Sequence, residues 1–116
     1  MKTFENELVK FNISLQSKLG YFLIIEYWRL KTEYLEQHES KYSKLKVAIS
    51  DISNITLIEQ NDGICNVLIS LTNGEVLEYT TRVDIELANA VYDFINSCWN
   101  AYLKSVVIDL IAPSMN

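Results

Sequence analysis

Three glycines, one proline, two cysteines and one histidine are all that this 116-residue chain holds of the residues that most often punctuate a backbone or carry chemistry. Each scarcity excludes something. Gly20, Gly63 and Gly74 are scattered and cannot build a phosphate-cradling loop. One histidine and two distant cysteines cannot supply the paired ligands of a zinc site. The short stretch Glu59 to Gly63 lacks the alternating oxygen ligands of a calcium loop and reads as a turn. No cofactor is therefore expected. Cys65 and Cys98 read as buried hydrophobes rather than a disulfide. The N-terminus lacks a basic segment followed by an apolar run and a small-residue cleavage site. The apolar run Tyr21 to Ile25 is too short to span a bilayer. A cytoplasmic chain with no transmembrane segment is the expectation.

What is present is apolar. Hydrophobic residues make up 49% of the chain and aromatics 11%, which argues against disorder and for a single domain over residues 1–116. The net charge of −5 is unevenly spread. Residues 1–46 carry eight Lys/Arg against six Asp/Glu, and residues 47–116 carry two against nine. The acidic second part disfavours nucleic acid, where cationic surface supplies most of the affinity, and suits a basic protein surface.

In residues 3–43, Phe4, Leu8, Phe11, Leu15 and Phe22 recur at spacings of three, four and seven. Leu19, Leu23, Tyr27, Leu30 and Tyr34 continue the stripe, and Arg29 to Lys46 is rich in helix formers. This pattern predicts helices over about 3–18 and 21–43, kinked at Gly20. Strands compete for the same residues, because Asn12 to Gln16 alternates and Tyr21 to Ile25 is aromatic and β-branched.

From Lys46 the period is two. Val47 and Ile49 share a parity, Asp51 interrupts it, and Ile52, Ile55 and Leu57 resume it shifted, as at a bulge or bend. Gln60 to Gly63 reads as a turn, and Asn73-Gly74 as a two-residue hairpin. Between and after them, Cys65, Val67, Ile69 and Leu71, then Leu77, Tyr79, Thr81 and Val83, line one face. A long helix follows, with Asp84 as its cap and a stripe through Ala88, Val91, Ile95, Cys98 or Trp99, Tyr102, Val106 and Leu110. Late in that helix the apolar residues run nearly all round, so Trp99, Tyr102 and Val106 are expected at a contact between helices or in a homodimer.

The pattern Val47-x-Ile49-x-Asp51-Ile52-x-x-Ile55, a strand, Asn73-Gly74, a strand, and a helix carrying Ala88, Val91 and Ile95 resembles the C-terminal half of a bacterial pleckstrin-homology-like domain, over residues 46–102. The resemblance implies further N-terminal strands completing a barrel, a helix closing one end, and lipid or peptide binding. Size, acidity and the order of sheet then helix are also similar to small acidic phage-encoded inhibitors, some anti-CRISPR proteins among them.

The expected fold class is α+β: a three-stranded antiparallel meander packed with a long C-terminal helix and N-terminal helices, with a pleckstrin-homology-like partial barrel as the alternative. The expected function is a non-enzymatic interaction or regulatory module that binds another protein. Asp51, Glu59, Asp62, Glu75 and Glu78 would face a basic partner. His38 stands between carboxylates in a polar run, and an enzyme using it with a thiol or a carboxylate is a further class, though a solvated surface histidine is the simpler reading. Arg29, Lys31, Lys41, Lys44 and Lys46, interleaved with Trp28, Tyr34 and Tyr42, form a loose basic segment with glutamates between them.

Overall fold

The protein is described by a computed structural model covering residues 1–30 and 41–111, with side chains of the last helix described as far as Ser105. Seven strands form two antiparallel sheets, and one helix ends the described chain. Strands β1 (Lys2–Glu5), β2 (Val9–Gln16), β3 (Phe22–Arg29) and β4 (Lys41–Ala48) pair in sequence order as the first sheet. Strands β5 (Ile52–Glu59), β6 (Cys65–Leu71) and β7 (Val76–Arg82) form the second, and α1 spans Ile85–Ile111.

The first sheet overturns the expected N-terminal helices over 3–18 and over the described part of 21–43, and with them the single three-stranded meander; residues 31–40 of the second expected helix lie outside the described residues. Where helices were expected there are strands, and the physical reason lies in hairpin pairing. Residues equidistant from a tight turn become cross-strand neighbours, so their spacing imitates a helical period. Phe4 and Phe11, seven apart, are direct partners across β1 and β2. Leu15 pairs with Leu23 across β2 and β3. Inward alternation then decides the matter: Val9, Phe11 and Ile13 on β2 and Leu23, Ile25 and Tyr27 on β3 are all buried. A helix would spread these six over several faces, whereas a pleated sheet buries them together. Gly20 is no kink; it lies in the β2–β3 turn beside Leu19, a fully exposed leucine at φ +58°.

The parity shift at Asp51 marks the passage between sheets. A 3-10 turn, Ile49–Asp51, separates β4 from β5, and a register irregularity follows at Ile52/Asn54. The Asp51 carbonyl accepts from the Thr72 amide at 2.8 Å, which ties this crossing to the β6–β7 turn.

Both turns of the second sheet are built alike. The Gly63 amide donates to the Gln60 carbonyl and the Gln60 amide to the Ile64 carbonyl; Gly74, Leu71 and Glu75 repeat the arrangement. In each, an Asx side chain accepts from a following amide, Asp62 from Ile64 and Asn73 from Glu75. Each is thus a three-residue loop whose glycine takes a positive φ, +86° and +92°. Asn73-Gly74 accordingly ends a three-residue loop instead of making the two-residue hairpin expected.

The core joins both sheets and the helix. Phe11, Tyr27 and Tyr79 form an aromatic triad between sheets, with centroids 4.9, 6.0 and 5.3 Å apart. Helix α1 packs across β5 and β6 and reaches β1 and β7. It inserts Ala88, Val91, Ile95 and Cys98, and Phe94 meets Phe4 of β1 at 5.6 Å. Asp84 caps it, accepting from the Leu87 amide at 3.0 Å through one carboxylate oxygen and from the Asn6 side chain through the other. Asn6 itself accepts from the Leu8 and Val9 amides, so the first turn of the chain is pinned to the helix start.

Candidate functional site

The terminal strands of the two sheets meet the helix unequally. Helix α1 packs on β5 and touches β1 and β7 about equally, whereas β4 has no comparable contact with it, and β4 and β7 end their sheets without hydrogen-bonding to one another. Between β4 and β7 lies a cavity of about 230 Å³, lined by Tyr27, Lys41, Ser43, Leu45, Val76, Leu77, Glu78 and Tyr79.

Its walls follow from strand alternation. Lys41, Ser43 and Leu45 have the inward parity of β4, opposite Arg29, Tyr27 and Ile25. Ile25 is fully buried, whereas Leu45 beside it on β4 is 36% exposed. Leu77 and Tyr79 supply the β7 wall, and Val76 and Glu78 stand exposed at its rim. The floor is the aromatic pair Tyr27 and Tyr79. Tyr27 donates its hydroxyl to the Thr80 carbonyl at 3.0 Å. The Tyr79 hydroxyl is buried and has no hydrogen-bond partner among the described residues. An unsatisfied buried hydroxyl is costly, so an acceptor brought by a ligand would be rewarded. Burial, with Tyr27 beside it, pushes the Tyr79 pKa up to about 12, so the group is a neutral donor at physiological pH. Burial raises Tyr27 in the same direction.

The opposite face of the first sheet carries a second set of side chains. Lys10, Trp28 and Tyr42 are aligned across β2, β3 and β4, as are Ser14, Ile24 and Lys46. The Lys10 ammonium lies 5.2 Å from the Trp28 ring and the Lys46 ammonium 4.5 Å from the Phe22 ring. Tyr42 stacks near Trp28 at 5.0 Å and donates to Glu26 at 2.9 Å. Lys44 is Glu26's cross-strand partner.

The acidic residues singled out from the sequence do not converge. Asp51 and Glu75 sit by the sheet crossing and the β6–β7 turn. Glu59 and Asp62 lie at the other end of β5, which at about 3.3 Å per residue is on the order of 25 Å away. Glu78 points outward from β7 and accepts from Asn66 at 3.0 Å. Trp99 and Tyr102 are half-buried against this chain's own core, with Tyr102 5.4 Å from Tyr21, whose hydroxyl pairs with Ser105. The Val106 side chain and His38 lie outside the described residues.

Both cysteines are buried and unbridged. Burial raises both thiols, Cys65 further through Glu59 and Asp84, which leaves them protonated and unreactive at neutral pH. Among the described residues no cluster of three metal-ligating side chains occurs, and no helix is long and apolar enough to cross a membrane.

The β4–β7 cavity escaped the sequence reading. Its only signal was the alternation of Ser43, Leu45 and Val47 against Tyr42, Lys44 and Lys46, which begins before the point where a period of two was recognised. No protein-family model matches this chain, and neither does any curated protein or solved structure.

Proposed function

We propose that the chain is a non-enzymatic binding module that takes an extended segment of another protein into the open corner between β4 and β7. The observation that carries this reading is the mainly apolar cavity flanked by two strand edges that are unpaired among the described residues. Strand edges present rows of free amides and carbonyls, and an extended peptide satisfies them by adding to the sheet. The cavity's volume falls below the roughly 300–1,000 Å³ of small-molecule pockets and suits one or two large side chains. The Tyr79 hydroxyl offers an inserted segment a hydrogen bond that the described residues leave unused.

The resemblance to pleckstrin-homology-like domains called for N-terminal strands completing a barrel and a helix closing one end; β4 and β7 are not hydrogen-bonded to one another, so the barrel is not closed there. The four-plus-three strand order followed by α1 supports the resemblance, and of the two activities it implies, the apolar corner favours peptide over lipid. An inhibitor clasping a basic target through Asp51, Glu59, Asp62, Glu75 and Glu78 has less support, since these residues are divided between distant ends of the second sheet. A homodimer through Trp99 and Tyr102 is supported less as well, because both rings pack on their own chain.

Selection of random linear peptides on the immobilised full chain tests the reading. Enriched peptides should bind the wild type and lose about tenfold or more in affinity to Ser43→Trp, a substitution that fills the cavity from its half-buried wall. Thermal unfolding reports whether that variant keeps its fold. Equal binding to a folded Ser43→Trp would remove the cavity from the account.

A further inference from the structure

Resting on the reading that this corner receives an extended peptide, we infer that β4 is the edge that pairs with it, and that the peptide alternates apolar and acidic residues. Four observations lead there. First, β4 ends its sheet, so among the described residues its outer backbone edge is open to a further strand. Second, a strand added to that edge inherits the pleat, so its residues alternate between the two faces of β4. Those on the inner face meet Ser43, Leu45 and the aromatic floor of the cavity, where apolar side chains are buried favourably. Those on the outer face lie beside Tyr42, Lys44 and Lys46, all exposed.

Third, β4 carries Lys41, Lys44 and Lys46 and no carboxylate. Lysines on an edge strand ordinarily guard it against pairing, since burying them beside a neutral or basic strand is unfavourable. The two outward charges, Lys44 and Lys46, admit a strand whose outward residues are Asp or Glu, because directly opposed side chains across a ladder are only about 5 Å apart, while Lys41 has the inward parity at the cavity's end. The edge therefore selects by sign as well as by shape. Fourth, the competing edge has the wrong charge. Glu78 lies on β7 and Glu75 directly precedes it, and the only cation on that strand is Arg82 at its far end. An acidic strand is drawn to β4 and repelled from the start of β7. In a chain of net charge −5, this one strand has the polarity to recruit an acidic segment.

The test titrates the isotope-labelled full chain with three synthetic peptides matched in length to β4. One alternates leucine and glutamate, one has the same composition scrambled, and one alternates leucine and lysine. The first should bind with amide shifts concentrated in Lys41–Ala48. Its affinity should fall about tenfold or more in Lys44→Glu/Lys46→Glu, and the loss should shrink at high salt. Those two side chains point outward and are exposed, so the variant should fold; its amide spectrum checks this. Binding of the scrambled or lysine peptide as tight as the first, or shifts confined to β7, would overturn the inference while leaving peptide capture by the corner intact. Peptides enriched in the unbiased selection that reach the cavity with no acidic alternation would do the same. Shifts in β4 that grow with protein concentration in the absence of peptide would identify a second copy as the occupant and overturn the acidic-peptide assignment.

Discussion

At one corner of the molecule the terminal strands β1 and β5 lie against α1; at the other, β4 and β7 flank a cavity. The first corner carries Phe4 against Phe94 and buries Val91 and Ile95 completely or nearly so. The second leaves Leu45 partly exposed and the Tyr79 hydroxyl without a partner among the described residues. Both corners are made of antiparallel edges with apolar inner faces. Among the described residues the difference is that α1 packs on both strands of the first, whereas at the second it touches β7 and makes no comparable contact with β4. The helix-packed corner buries its apolar faces more completely, and on the proposed reading the cavity corner is where a partner segment would be received.

The comparison breaks first if truncation costs the same on both sides. Ile95→Ala, under the helix, should lower stability by about 2–5 kcal/mol through lost burial and a residual cavity. Leu45→Ala, on the partly exposed wall of the open corner, should cost less than about 1 kcal/mol. Urea unfolding followed by circular dichroism checks both. Equal losses would mean that the open corner is part of the structural core.

Alkaline unfolding sharpens the contrast from the floor of the open corner. Tyr79 ionises near pH 10 in the unfolded chain and about 12 in the folded one, so the unfolded state loses its proton first. The contribution of this group should therefore be constant below pH 10 and fall as pH rises from 10 to 12, by on the order of 3 kcal/mol, on top of a decline that the two buried thiols begin from about pH 9. Tyr27 acts in the same direction. Tyr79→Phe should flatten the decline and, by removing a buried unpaired hydroxyl, leave neutral-pH stability unchanged or raised by up to about 1 kcal/mol. An unchanged alkaline profile in Tyr79→Phe would place that hydroxyl in water.

The smallest effect belongs to the junction with the helix. Arg82, at φ +58°, is where β7 bends toward α1, and its amide donates to the Thr80 hydroxyl. A left-handed backbone costs a non-glycine residue roughly 1 kcal/mol, so Arg82→Gly should gain up to about that amount in thermal unfolding. A loss would show that the arginine side chain anchors the junction.

Much of the second sheet and its helix could be read from the residues. Asp62-Gly63 and Asn73-Gly74 supply the left-handed positions that both turns use, and Cys65, Val67 and Ile69 alternate cleanly inward. The first sheet was not readable in the same way. Its hairpins set Phe4 opposite Phe11 and Leu15 opposite Leu23, and seven- and eight-residue separations resemble helical turns when only one dimension is visible. The open corner was hidden for a different reason. Its walls come from strands more than thirty residues apart, brought side by side only after the 3-10 turn at Ile49–Asp51 redirects the chain. None of Ser43, Leu45, Val76 or Leu77 belongs to a motif, and the edges that matter are backbone edges, which side-chain identity does not mark.

Amide hydrogen exchange on the full chain, with and without a peptide selected for binding, tests the central claim most directly. Without peptide, amides on the open edge of β4 should exchange faster than those of β2, which is paired on both sides. With peptide, alternate amides within Lys41–Ala48 should slow about tenfold or more as they acquire partners, while β1 and β5 stay unchanged. Protection that arises elsewhere and leaves both β4 and β7 untouched would contradict the assignment of the open corner as the binding site.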